Sequence, residues 1–75
     1  MVKKQIKINS INDIYKLASA TQKVDGDVLV IKGHYAVDGK SIMGLFSLDL
    51  SEGVTIIYPE DAINFEKEIE IFIYG

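Results

Sequence analysis

The stretch Asp27-Val28-Leu29-Val30-Ile31-Lys32-Gly33-His34-Tyr35-Ala36-Val37-Asp38-Gly39 decides the fold class. Asp27 to Ile31 is rich in β-branched residues and reads as a strand. Lys32-Gly33 reads as a two-residue hairpin turn in which the glycine supplies a positive φ. His34 to Val37 is then the return strand, ended by Asp38-Gly39. Apolar side chains at four consecutive positions, Val28 to Ile31, reach both faces of a sheet. Either both faces are covered or one is sticky, and a sticky face would drive homodimerisation.

Toward the N-terminus, Val2-Lys3-Lys4-Gln5-Ile6-Lys7-Ile8 alternates. Ile6 and Ile8 share one side while Lys3, Gln5 and Lys7 share the other, so this is a strand with one wet face. Ser10-Ile11-Asn12-Asp13 follows as a helix start. Ser10 is placed to cap, and Asp13 to reach back in a weak form of the capping box. Ile11, Ile14, Leu17, Ala18 and Thr21 recur at helical spacing, which predicts a helix over Ile11 to Gln22 with one buried stripe. Val24-Asp25-Gly26 closes it.

Toward the C-terminus, a serine opens the apolar-dense Ser41 to Leu48 segment, which predicts a short helix. Glu52-Gly53 turns the chain into the β-branched strand Val54 to Tyr58. Residues 60–74 carry two patterns. Ile69, Ile71 and Ile73 alternate like a strand, whereas Ala62, Phe65, Ile69 and Phe72 sit at spacings of 3, 4 and 3. Pro59 followed by Glu60 and Asp61 is a helix-start composition, and helix is the reading adopted. The order is β-α-β-β-α-β-α. It predicts an α+β domain over residues 1–75, with a four-stranded, mostly antiparallel sheet and helices on one face.

Composition narrows the function classes. The chain has 75 residues, 48% of them apolar and 25% charged, which are globular proportions for one small domain. It has no cysteine and one histidine, so disulfides, thiolate zinc sites, a cysteine nucleophile and multi-histidine metal sites are excluded. All 8 basic residues are lysine against 11 acidic ones. A net charge of −3 without the arginine fork argues against direct nucleic-acid binding and against a guanidinium clamp on phosphate. No apolar run suits a membrane span or a signal peptide, so the expected location is the cytoplasm. No nucleophile–base pair, metal cluster or phosphate loop marks an enzyme, and no cofactor is expected.

The segment Lys40-Ser41-Ile42-Met43-Gly44-Leu45-Phe46-Ser47-Leu48 resembles the regulatory-serine segment of the HPr family in Gram-positive bacteria. Those proteins are the phosphocarriers of the bacterial sugar phosphotransferase system. The likeness extends back through Asp25-Gly26-Asp27-Val28 and on to Gly53-Val54-Thr55-Ile56, and Lys4-Gln5-Ile6-Lys7-Ile8 also fits. It implies the HPr-like open-faced β-sandwich. It also implies that Ser41 is a site of regulatory phosphorylation by an ATP-dependent HPr kinase. Ile42, Met43, Leu45 and Phe46 would be a docking surface for enzymes or a catabolite-control transcription factor. The plainer reading of Ser41 is a helix cap, and that of Leu45 and Leu48 is inward packing. Both can hold alongside a regulatory serine with Ile42 and Met43 partly exposed, where methionine suits an adaptable contact.

The departure is as informative. The family carries a phosphoryl-accepting histidine in a Gly-(Leu/Ile)-His-(Ala/Thr)-Arg-Pro loop before the first helix. This chain has Asn9-Ser10-Ile11-Asn12-Asp13-Ile14 there, with Ser10 at the position of the lost histidine and Asn12 at that of the arginine. Ser10 has no activating base in sequence, and Asp13 sets negative charge where the phosphate would sit. The expectation is a non-catalytic regulatory or interaction protein. Two alternatives stay open: a phosphocarrier using a displaced acceptor, Ser10 or His34, and a structural homodimer. His34 reads as a surface or cross-strand residue, and Glu66, Glu68 and Glu70 as a solvated acidic face rather than a metal site. Tyr15, Tyr35, Tyr58 and Tyr74 are scattered and make no stacking platform.

Overall fold

The computed structural model describes residues 1–46 and 53–73, with the side chains of Ile42 and Phe46 outside that description. Ser47, Leu48, Glu52 and Tyr74 therefore lie outside the described residues. The elements are β1 (Val2–Ile6), α1 (Ile11–Gln22), β2 (Leu29–Lys32), β3 (Tyr35–Asp38), α2 (Ile42–Phe46), β4 (Val54–Tyr58) and α3 (Ile63–Ile69), followed by a 3-10 turn, Glu70–Phe72. The four strands form one antiparallel sheet in the order β1-β4-β2-β3. This is the α+β open-sheet architecture expected.

Pleating assigns the two faces. Val54, Ile56 and Tyr58 alternate along β4 and are buried, as are Ile6 and Val30 on the flanking strands. Leu17 of α1, Leu45 of α2, and Phe65 and Ile69 of α3 close over them as one core. Each such side chain contributes about 1.5–3 kcal/mol by leaving water. The opposite face bears Lys3, Gln5, Leu29, Ile31, Thr55 and Ile57 and has no helix on it among the described residues.

Several local details differ from the sequence reading. Lys32 pairs with Tyr35, so the hairpin loop is Gly33-His34, not Lys32-Gly33. Gly33 takes φ +58 at the first loop position, the type II′ arrangement, and His34 sits in the turn rather than opening the return strand. β2 starts at Leu29 rather than Asp27, although Val28 is fully buried. Ile11 is exposed, and Ala20, outside the expected stripe, is buried. At the tail, Pro59 to Ala62 forms a turn closed by the Ala62 amide on the Pro59 carbonyl (3.1 Å), and the helix begins at Ile63. Phe65, Ile69 and Phe72 are buried as their helical spacing requires. The strand pattern survives at the end of the segment, where Ile73 bridges antiparallel to Ile6 and the Lys7 amide donates to the Phe72 carbonyl (2.9 Å).

Candidate functional site

Ser41 stands between β3 and α2, beside the last turn of α1. Three bonds build this corner. The Gly39 amide donates to the Val28 carbonyl (2.7 Å), and a Cβ on Gly39 would come within 2.7 Å of Val28 Cγ1, so only glycine allows that approach. The buried Thr21 hydroxyl lies 2.9 Å from the Gly39 carbonyl and 2.7 Å from the Ala18 carbonyl, within donating range of both. Gln22 Nε2 donates to the Lys40 carbonyl (2.8 Å). The end of α1 thus holds residues 39–40 in place. Thr21 and Gln22 were legible as helix positions, and the buried stripe picks out Thr21, but nothing local tells that they clamp this loop.

The serine itself is exposed. Its Oγ accepts from the Gly44 amide (3.2 Å), and its carbonyl accepts from the Leu45 amide (3.0 Å), the first helical bond of α2. Ser41 is therefore the cap of α2, with its hydroxyl at the helix start and open to solvent. Asp38 Oδ1 accepts the Lys40 amide (2.9 Å), tightening the preceding turn. Lys40 adjoins Ser41 in sequence only: its Nζ donates to the Val24 carbonyl (2.8 Å).

Beside the cap, Met43 is 77% exposed. Leu45 is 0% exposed and belongs to the core, which removes it from the predicted docking surface. Its place in the register of a one-and-a-half-turn helix turns it toward the sheet while Met43 points away. The predicted surface contacts of Ile42 and Phe46 lie outside the described side chains.

Ser10 occupies the other end of α1. Its Oγ accepts from the Asp13 amide (3.2 Å) and its backbone is extended, so it caps α1. Twelve helical residues, about 18 Å at 1.5 Å per residue, separate this cap from the Ser41 corner. Asp13 is in the first turn, where its carboxylate already complements the helix dipole. His34 leaves from the β2–β3 turn; β1 and β2 are two strands apart, about 10 Å, so the Ser10 loop and the only imidazole spring from separate strands.

The acidic tail is not one solvated face. Glu66 Oε2 accepts the Tyr58 hydroxyl (2.7 Å), and Glu68 pairs with Lys23 (3.1 Å); Glu70 is exposed. Burial raises the Tyr58 pKa, and the Glu66 carboxylate adds to the rise. Among the described residues there is no group of three or more acidic or histidine side chains placed to hold a metal, and no helix is long and apolar enough to cross a membrane.

Solved structures match nearly the whole chain. One is HPr-C-His from Thermoanaerobacter tengcongensis, with a TM-score of 0.75 and 26% identity over 93% of this chain and 92% of that one. Another is the phosphocarrier protein HPr from Bacillus anthracis, with a TM-score of 0.69 and 18% identity over 97% of this chain and 96% of that one. No family model and no curated protein matches the sequence.

Proposed function

The chain is HPr-like, and from that premise we propose that it is a non-catalytic regulatory protein related to the sugar phosphotransferase system, switched by phosphorylation of Ser41. The observation that carries this reading is the exposed Ser41 cap with the exposed Met43 two residues on. An HPr kinase would transfer the γ-phosphoryl group of ATP to Ser41 Oγ, releasing ADP and a proton. The phosphate would lie at the amides of the first turn of α2, where anionic charge is favoured. Leu45 holds the helix on the core, so the modification changes surface charge rather than the fold. The phosphorylated corner with Met43 then forms the surface read by a kinase or a transcription-control protein.

The carrier reaction is not assigned to this chain. Ser10 Oγ is an ordinary alcohol engaged as a cap, with no imidazole or guanidinium in its loop. Incubation with phosphoenolpyruvate and the first enzyme of the phosphotransferase system should leave the intact mass unchanged. A stable or transient gain of one phosphate on Ser10 or His34 would overturn the non-carrier reading.

A further inference from the structure

The open face of the sheet carries a charge pattern that the helical layer does not use. The strand register places Lys3, Ile57, Leu29 and Asp38 in one row across β1, β4, β2 and β3. Gln5, Thr55, Ile31 and Ala36 form the next row. Val30 and Ile56 point into the core, so these alternating neighbours point out of it. The first row runs cation, aliphatic, aliphatic, anion. Leu29 is 38% exposed, and a shallow groove is lined by Lys3, Lys4, Gln5, Ile31, Thr55 and Ile57.

We infer that this face docks a second copy of the same chain, face to face, about a twofold axis that runs along the strands between β4 and β2. That rotation exchanges the two sides of the sheet. Lys3 then opposes Asp38 of the partner copy, and Asp38 opposes the partner's Lys3. Ile57 meets the partner's Leu29, and Thr55 meets the partner's Ile31. An isologous contact needs such a self-complementary row. A twofold axis across the strands would instead set Lys3 on the partner's Lys3 and Asp38 on its Asp38. The charges therefore select one axis out of two. Asp38 retains a second carboxylate oxygen for the incoming ammonium while Oδ1 accepts the Lys40 amide.

The geometry also sets the strength. Four strands at about 4.8 Å and five residues at about 3.3 Å give a flat area of about 300 Å² per copy. A standard interface buries about 800 Å² per partner, so this pairing is weak, concentration-dependent and reduced by salt. It leaves Ser41 and Met43 uncovered, because both belong to the helical layer on the other face.

Sedimentation equilibrium on the intact chain at low salt tests the arrangement. The wild type should move from monomer toward dimer as its concentration rises to about 1 mM, in keeping with an area below the standard size. Lys3→Asp alone and Asp38→Lys alone should each associate at least about tenfold more weakly, because each creates two like-charge contacts. An equimolar mixture of the two should associate again, because every charge then meets its opposite. A wild type that stays monomeric, a single variant that dimerises as tightly as wild type, or a mixture that associates no better than its components would overturn the proposal. Circular dichroism checks that both variants fold. If Asp38→Lys does not, Asp38→Asn keeps the turn acceptor and should still weaken the dimer; undiminished association of that variant would overturn the proposal equally.

Discussion

The Thr21 hydroxyl, 0% exposed, lies 2.9 Å from the Gly39 carbonyl and pins the loop before Ser41 to the last turn of α1. A buried hydroxyl bonded across 18 residues of chain links the helix that begins at Ser10 to the corner that ends at Ser41. Thr21→Val keeps the shape and removes the donor, leaving the Gly39 carbonyl without it. The expected cost is about 1–3 kcal/mol, read as a lower urea midpoint with an unchanged m-value. Thr21→Ser, which retains the hydroxyl, should recover most of it. Equal midpoints for Thr21→Val and wild type would show that the bond contributes nothing.

Two glycines near the corner should respond differently to alanine. On Gly39 a new Cβ meets the buried Val28 Cγ1 at 2.7 Å, too close to stand, with Val28 Cβ and its carbonyl oxygen at 3.2 Å, so the packing there must shift. On Gly44 it meets Ser41 Oγ and Val37 Cβ at 3.4 Å, ordinary packing. Gly39→Ala should destabilise by about 2 kcal/mol or more, as overpacking does. Gly44→Ala should be neutral or stabilise by up to about 1 kcal/mol through helix propensity. Thermal melts of the two variants give the ordering directly, and a reversed order would contradict the packing described.

Tyr58 supplies a pH prediction. Its hydroxyl donates to Glu66, and its folded-state pKa lies above the ordinary tyrosine value near 10. The folded protein thus holds this proton more tightly than the unfolded chain. The stabilisation is fully present below pH about 10 and is lost as pH rises above it. Wild type should lose urea resistance between pH 9 and 11 more steeply than Tyr58→Phe, which at pH 7 should be weaker by about 1 kcal/mol. Parallel pH profiles would exclude Tyr58 as the source.

Ser41→Ala should cost about 1 kcal/mol, the ordinary value of a cap, and Ser41→Asp should restore it, because a carboxylate can accept the Gly44 amide. Met43→Asp, at an exposed position, should leave stability within about 0.5 kcal/mol of wild type. A transcription-control partner bound through this surface should lose Met43→Asp while still binding wild type. A partner that binds both equally would place the docking surface elsewhere.

Much of this architecture could be read from the chain. The boundaries of α1 and β4 follow from the Ser10 cap with its helical stripe and from the β-branched run at residues 54–58. The hairpin loop slips by one residue because Gly33 suits either loop position. In the structure it takes the first position, with φ +58 and Lys32 paired to Tyr35. In the tail the helical periodicity buries Phe65, Ile69 and Phe72, while of the alternating Ile69, Ile71 and Ile73 only Ile73 pairs with a strand, in an isolated bridge to Ile6.

The site was legible only in outline. Ser41 as a cap follows from its residue type, and an exposed Met43 from the excess of apolar residues in a short helix. Which of those residues turns inward depends on where the helix rests on the sheet, a long-range relation; for Leu45 the inward reading holds and the docking-surface reading does not. The same holds for Lys40, whose ammonium bonds the Val24 carbonyl rather than its sequence neighbour, and for Thr21 and Gln22, whose partners lie 18 residues on.

The proposed function rests on Ser41 accepting a phosphate on an HPr-like fold without the carrier histidine. Intact mass spectrometry after incubation with an HPr kinase and ATP tests it most directly, with wild type and Ser41→Ala side by side. Wild type should gain one phosphate and the variant none. An unchanged wild-type mass, or the same gain on both proteins, would contradict it and leave Ser41 as the cap of α2 alone.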